Sequence, residues 1–259
     1  MPNKMPAIFF GHGNPLNALE DNQYTRAWSD IGRRISTPRA IVAVSAHWYV
    51  RGTHVTAMPA PRTIHDFGGF PPALYQVQYP APGDPALAQR LQELLHPVEV
   101  GLDMHWGLDH GTWSVLCHVF PKADIPIVQL SIDRTQPPAF HYALGRKLAD
   151  LRAEGVLVIG SGNLVHNLHT YAWGRHPVAP FDWALRFETR ARELLASGEH
   201  APLVDYESLG ADALLSVPTS EHYLPLLYVI ALQRQGEAAT FPVTGIEGGS
   251  VSMLALQIG

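Results

Sequence analysis

Apolar residues gather in short, nearly continuous runs at Ala7–Phe10, Ala40–Val44, Ile127–Leu130 and Val156–Ile159, most of them rich in β-branched side chains. Such runs predict strands covered on both faces, as in a largely parallel sheet, because those strands have no solvent side to reserve for polar residues. Between them the period lengthens. After Gly83-Asp84-Pro85, the residues Leu87, Leu91, Leu94 and Leu95 fall on one helical face, with Asp84 placed to cap and Pro85 at the first helical position. A second helix is predicted from Pro137 to about Arg152, with Leu144, Leu148 and Leu151 on one side and Gly155 beyond its end. A third begins at Asp182 and ends near Gly198. A fourth begins at Ser220, and its run Leu224–Ile230 is apolar all round, as in a buried helix. The tail from Phe241 reads as a strand or hairpin. Strands alternating with helices make this an α/β fold: a central, largely parallel or mixed sheet flanked by helices.

Composition sharpens that picture. The chain has 259 residues, 46% of them hydrophobic and 16% charged, enough apolar side chains for one large core. Glycine and proline, 22 of each, are scattered through short loops with no repeat, linker or charge block, so residues 1–259 are expected to form a single domain. Order is expected throughout except at the first few residues. The net charge of −5, from 18 basic and 23 acidic side chains, provides no basic stripe for nucleic acid or an anionic membrane surface, and a small-molecule partner fits better. Cys117 is the single cysteine, which excludes an internal disulfide and leaves nitrogen and oxygen as the main donors for any metal. That usage suits a reducing compartment. The apolar stretch after Met1–Pro6 is too short for a signal sequence or a membrane span, and the expectation is a cytoplasmic protein.

Four histidines stand where apolar runs break into small or polar residues: His12, His47, His166 and His222. Three follow predicted strands, and ligands of an open parallel sheet bind beyond the carboxyl ends of its strands, so His12, His47 and His166 should converge on that rim. His222 is placed in the first turn of the fourth helix, where the macrodipole disfavours imidazolium and keeps the ring neutral, as a metal ligand must be. Any one of the 14 histidines alone is best read as an ordinary hydrogen-bonded residue. Several converging beside glycines, where backbone approaches a ligand closely, point to a metal site.

Other segments carry weaker signals. His65 to Gly69 combines titratable groups, glycines and Phe67, with Phe70 following, and reads equally as a loop over a pocket or a capped turn. His110 precedes a predicted helix, where it either meets a substrate oxygen or caps the helix. Gly160-Ser161-Gly162 lacks the nucleophile-elbow, Walker and dinucleotide patterns, and backbone tightness accounts for its glycines. Cys117 and His118 read as structural.

In these motifs the chain resembles a known family. The segments Phe10–Pro15, Ser45–Trp48, Ile64–Phe70, Gly107–Gly111, Ser161–Asn167 and Glu221–Leu226 are similar to those of the 4,5-DOPA extradiol dioxygenases, within the class III extradiol ring-cleavage superfamily. The resemblance runs from about residue 5 to the C-terminus, with the motifs in the family's order. It implies one α/β domain with a mononuclear metal at the C-terminal rim of the strands. His12, His47 and His222 match metal positions, and Glu221 is the alternative third ligand because the wider superfamily uses two histidines and a carboxylate. His166 matches the acid/base histidine, which some descriptions of the family count as a fourth ligand. His110 matches a further active-site histidine.

The implied reaction is cleavage of a catechol such as DOPA by O2 to a muconic semialdehyde, with Fe(II) expected for activity and Zn(II) as a metal that a histidine site also holds. In it, His166 and His110 handle protons. His65, Trp48, Phe67, Phe70 and Tyr223, beside the candidate ligands, are candidates to contact the substrate, core packing being the equal alternative for the aromatics. Two other classes use the same histidines: a zinc hydrolase, and a non-catalytic metal or small-ligand binder.

Overall fold

The four apolar runs become four neighbouring strands at the centre of one sheet. The computed structural model describes residues 4–175 and 177–259. The expectation for the extreme N-terminus, at residues 1–3, lies outside them. Among the described residues ten strands form: β1 (Ala7–Gly11), β2 (Ala40–Val50), β3 (Thr53–Thr56), β4 (Val100–Asp103), β5 (Ile127–Asp133), β6 (Val156–Gly162), β7 (Ala239–Val243), β8 (Ile246–Glu247), β9 (Val251–Ser252) and β10 (Ala255–Ile258). Eight join in the order β4-β3-β5-β2-β6-β1-β10-β7, with β8 and β9 pairing as a separate hairpin. The central β5-β2-β6-β1 block is parallel, whereas β10 runs antiparallel to β1, β7 antiparallel to β10, and β3 antiparallel to β5. The sheet is therefore mixed, parallel at its centre.

Alternation along each strand feeds two cores. Phe9, Val42, Val44, Val128 and Val158 join one hydrophobic cluster, and Ile8, Phe10, Ile41, Ala43, Leu157 and Ile159 the other. The principal helices are α1 (Gln23–Arg34), α2 (Pro85–Leu94), α3 (His110–Val119), α4 (Pro138–Lys147), α5 (Asp182–Ser197) and α6 (Leu224–Ile230). Leucines of α2, α4, α5 and α6 cover the first face, and Trp28 of α1 with Trp113 of α3 cover the second. Each side of the sheet is buried under helices, which is why the central strands read as unbroken apolar runs.

Local chemistry sets the boundaries. Asp84 accepts from the Leu87 N–H (2.9 Å) at the start of α2, and Gly198 ends α5 in the left-handed conformation at φ 72°. Two helices depart from the expected limits. The segment from Pro137 to Arg152 is α-helical only to Lys147 and continues as a 3₁₀ turn over Ala149–Arg152, whose tighter winding buries Leu148, Leu151 and Arg152 together. The Ser220 carbonyl accepts from Tyr223 and Leu224, so Ser220–Tyr223 form a turn and α6 begins at Leu224. His222 thus lies in the turn leading into the helix, outside its first turn. Helix α1 is one the apolar pattern did not single out, since few large side chains, Tyr24, Trp28 and Ile31, mark its buried side. Among the described residues, no helix is long and apolar enough to cross a membrane.

Candidate metal centre and active-site cavity

The carboxyl ends of β1, β2 and β6 point the same way, and the histidines meet there. His12 follows β1 directly, and its N–H donates to the Gly162 carbonyl at the end of β6 (3.0 Å). His47 lies within β2. Between Val44 and Tyr49 the register of β2 slips against β5, where Val44 pairs with Leu130 and Tyr49 with Ile132. Such a bulge re-aims side chains, which is how a strand residue delivers a ring to the rim. The Asn163 N–H donates to the His222 carbonyl (2.9 Å), holding the His222 turn against β6. Gly162 and Gly160 permit that approach: a Cβ on Gly162 would lie 2.1 Å from the His222 carbonyl oxygen, and one on Gly160 2.5 Å from that of Pro225. The glycines around Ser161 therefore serve close backbone packing.

Ring nitrogens of His12, His47 and His222 lie within 4.8 Å of one another. Their partners determine the tautomers. Ser161 Oγ donates to the Gly111 carbonyl, so it accepts from His12 Nδ1–H at 2.9 Å. His47 Nδ1 stands 3.2 Å from Asp66 Oδ2, and His222 Nδ1 stands 3.2 Å from Glu221 Oε1. Each Nδ1 thus carries a proton toward an oxygen, and each Nε2 keeps its lone pair. The result is an open donor set, since His12 Nε2 and His47 Nε2 face each other at 3.2 Å. Two lone pairs at that distance repel unless a cation lies against both. Nitrogens each about 2.1 Å from one ion, at a tetrahedral or octahedral angle, stand roughly 3.0–3.4 Å apart. The residues present fit a metal, and the oxygen on each Nδ1 is the usual outer partner that fixes a ligand ring.

Electrostatics agrees with neutral rings. Burial, then the neighbouring imidazoles, holds His12 and His47 well below the ordinary histidine range. Burial also lowers His222, although Glu221 pulls the other way. His166 is brought down to about 3, by burial first and His222 second. Burial alone would raise the Glu221 carboxyl, yet the His222 contact and the Thr219 hydroxyl bring it to about 2, leaving it a carboxylate.

His166 and His110 flank the trio. The His166 ring stacks on His222 at 3.5 Å with an 11° tilt, and the backbone N–H of His166 donates to the Ser216 carbonyl (2.8 Å). His166, Glu221 and His222 form a second close group, and His47, Asp66 and His110 a third. His110 opens α3, capped by Asp109, and its ring lies 3.8 Å from that of His47. Asp66 serves both rings of that pair, with Oδ2 3.0 Å from His110 Nδ1 and Oδ1 accepting from the His110 N–H at 2.9 Å. Behind them Asp109, fully buried, holds Ser45 and Gln129, and burial followed by the charge of Asp66 pushes it up to about 6.

The five rim histidines, His12, His47, His110, His166 and His222, line a cavity of about 200 Å³ together with Phe67, Phe70, Leu168, Tyr171, Trp173, Val251 and Glu247. Three expected substrate contacts lie elsewhere. Trp48 is buried and stacks on Trp106 at 5.5 Å with a 3° tilt, because the strand alternation beside His47 sends it to the far side. Tyr223, also buried, donates its hydroxyl to the Leu203 carbonyl (2.8 Å) and packs on Tyr206. The His65 ring bonds the Val77 carbonyl at 3.0 Å and packs against Trp113 and Phe67, outside the lining. His118 bonds the Asn17 carbonyl at 2.8 Å, and the Cys117 thiol, pushed up to about 12 by burial, donates to the Ser114 carbonyl.

Sequence reasoning missed Asp66, Ser161 and the far wall of the cavity. Asp66 carries a local signal, a carboxylate beside His65 in a glycine-rich loop, but its contacts with His47 and His110 are made across the fold. Ser161 meets His12 only because Phe10 pairs with Ser161 and Gly11 with Gly162 in the parallel ladder.

Comparison with known proteins adds independent information. The family model described as the catalytic LigB subunit of aromatic ring-opening dioxygenase matches residues 6–240. A curated Escherichia coli K12 protein named 4,5-DOPA dioxygenase extradiol is 55% identical over 99% of this chain and 95% of its own length. A Beta vulgaris protein of the same name is 36% identical over 95% of this chain and 93% of its own. The crystal structure of an uncharacterized Escherichia coli K12 protein superposes with a TM-score of 0.86 at 51% identity, covering 98% of this chain and all of that one.

Proposed function

Because the chain belongs to the LigB family of aromatic ring-opening dioxygenases, we propose that residues 1–259 form one catalytic domain that cleaves a catechol with O2, with DOPA, the compound in its relatives' names, as substrate. The observation that carries this reading is the trio of neutral imidazoles with their Nδ1 atoms beside oxygens and ring nitrogens within 4.8 Å of one another. We assign His12, His47 and His222 as the metal ligands and Glu221 as the carboxylate that orients His222, with Asp66 and Ser161 doing the same for His47 and His12. Fe(II) is the ion that suits oxygen chemistry, while a three-histidine set also holds Zn(II). When bound, the ion supplies charge that eases catechol deprotonation and a redox centre through which O2 reacts with the ring.

The chain's own residues do the rest. His166, neutral at physiological pH and fixed by its stack on His222, accepts a catechol proton. His110, whose Nδ1 lies 3.0 Å from Asp66 Oδ2, is the residue we assign as proton donor to the departing oxygen. Phe67 and Phe70, 5.3 Å apart and edge to face, pack the aromatic ring and exclude water. The ring bond beside the diol breaks, both atoms of O2 enter the product, and a muconic semialdehyde results. From DOPA this product can close through its amine to a betalamic-acid-type compound. A cytoplasmic setting suits a chain whose single cysteine is Cys117.

Anaerobic reconstitution with Fe(II), followed by DOPA or protocatechuate and oxygen, tests the reading. Oxygen uptake with a yellow product is expected. No uptake across a catechol panel with iron verified in the protein would overturn it, and turnover of an ester or amide with zinc alone would favour the hydrolase.

A further inference from the structure

The cavity has a closed floor and an open, apolar mouth. At the floor His12, His110 and His222 are buried, whereas two other lining residues, Leu168 and Trp173, are 44% and 65% exposed. Both belong to the segment that follows His166, and that segment is tied down. Asn167 N–H donates to the Ser250 carbonyl (3.0 Å), Asn167 Nδ2 to the Leu215 carbonyl (2.8 Å), and Ala172 N–H to the Gly248 carbonyl (2.9 Å). Ala172 is buried, and on either side of it the rings of Tyr171 and Trp173 pack 4.6 Å apart at 53°. Tyr171 in turn fills the space over Gly248, where a Cβ would lie 2.2 Å from its ring. The indole is therefore propped in place although most of it faces water.

A large apolar ring held exposed beside a cavity is surface that a ligand can remove from water. A catechol anchored by its two oxygens at the histidine floor directs the substituent on the far side of its ring toward this mouth, where Leu168 and Trp173 stand. A hydrocarbon in that position buries its own surface and part of the indole together. Complete burial of one methylene is worth about fourfold in affinity, and half that free energy, on a ledge open to solvent on one side, is worth about twofold.

We infer that Trp173, with Leu168 beside the same opening, forms an outer subsite for an uncharged alkyl or aryl substituent, and that Trp173 is the specificity-determining residue that admits catechols carrying one. This rests on the catechol reading above and extends it beyond DOPA to apolar catechols. It makes the cavity two-ended: neutral nitrogens for the diol, and a fixed indole for the hydrocarbon.

The test uses the iron-loaded protein with 4-methyl-, 4-ethyl- and 4-butylcatechol, an uncharged series, measuring Kd by anaerobic calorimetry and KM by oxygen uptake. In the parent protein 4-butylcatechol should bind about eightfold more tightly than 4-methylcatechol, twofold for each of three methylenes. Trp173→Ser should flatten the series to about twofold across its whole length, and Trp173→Phe should keep most of the slope. A flat series in the parent, a slope unchanged in Trp173→Ser, or an equal loss for all three catechols would overturn the inference and leave Trp173 an ordinary surface residue. Absence of binding by all three would overturn it together with the catechol reading. If none of the three consumes oxygen yet anaerobic binding still follows chain length and the residue at position 173, the cleavage reading fails while the outer subsite stands.

Discussion

Two buried polar clusters occupy opposite ends of the same sheet, and they differ in how completely they are closed. At the end where β1 and β6 begin, Arg152 is 1% exposed and every nitrogen of its guanidinium is used. Nε donates to the Met5 carbonyl, one terminal nitrogen to Leu232 and Glu237, the other to Glu237 and Ile258. Charge and hydrogen-bonding capacity are matched within the chain, and the cluster staples the N-terminal strand to the C-terminal one. At the other end the histidines are satisfied only on their outer side. His12 and His47 turn bare Nε2 atoms to each other at 3.2 Å. A polar cluster that closes on itself serves the fold, and one that leaves like groups facing each other is built for a ligand of opposite character.

That contrast can be broken from either end. The largest effect is expected at the ligands: His12→Ala or His47→Ala should abolish stoichiometric metal binding and reduce oxygen uptake to background. His166→Ala should keep its metal while turnover falls about 10²–10⁴-fold. If His166→Ala instead empties the site and His222→Ala stays loaded, the two roles are exchanged.

Arg152→Ala should behave in the opposite way, costing about 3–5 kcal/mol in urea unfolding because it strands Glu237 and three carbonyls, while the folded fraction keeps its metal and activity. Metal at about 100 times its Kd should add roughly 2.7 kcal/mol to the parent and to this variant, and nothing to His12→Ala. Glu221→Gln should weaken metal binding about 10–100-fold, as loss of an outer partner does. Complete loss of metal there would make Glu221 itself a ligand.

Acid should separate the two ends more gently. In the metal-free protein, burial keeps His12, His47, His166 and His222 neutral when folded, His166 down to about 3, whereas unfolded imidazoles take up protons near 6.5. Their contribution to stability is therefore fully present above about 6.5 and declines as pH falls below it. Glu237 is shifted differently: burial would raise it, but Arg152 and Lys4 bring it from 4.5 to about 2, so its contribution persists to about pH 4.5 and is lost only below. Urea midpoints of the metal-free protein should start to drop between pH 7 and 5, before the Arg152 cluster titrates. A flat midpoint across that interval would mean that the folded rim already carries protons.

Much of this architecture could be read from the chain because it depends on neighbours in sequence. Unbroken runs such as Val156–Ile159 identify central strands, Asp84-Pro85 starts a helix and Gly198 ends one, and a histidine following an apolar run marks the rim of a parallel sheet. Those signals are local propensity and periodicity, which the sequence carries by itself. What it could not carry is which side chain meets which across the fold. The pairing of His12 with Ser161 depends on the register of β1 against β6, and that of His47 with Asp66 on a bulge in β2. Trp48 and Tyr223 lie beside rim histidines in sequence, yet alternation and the turn before α6 send both away from the cavity. Glu247, near the other end of the chain, reaches its wall through a hairpin paired to His166. The sequence by itself determined the class of fold and the residues that gather at its rim. Only the tertiary structure decided their hydrogen-bond partners, their tautomers and the opposite wall, because those depend on strand register and loop packing over long separations in the chain.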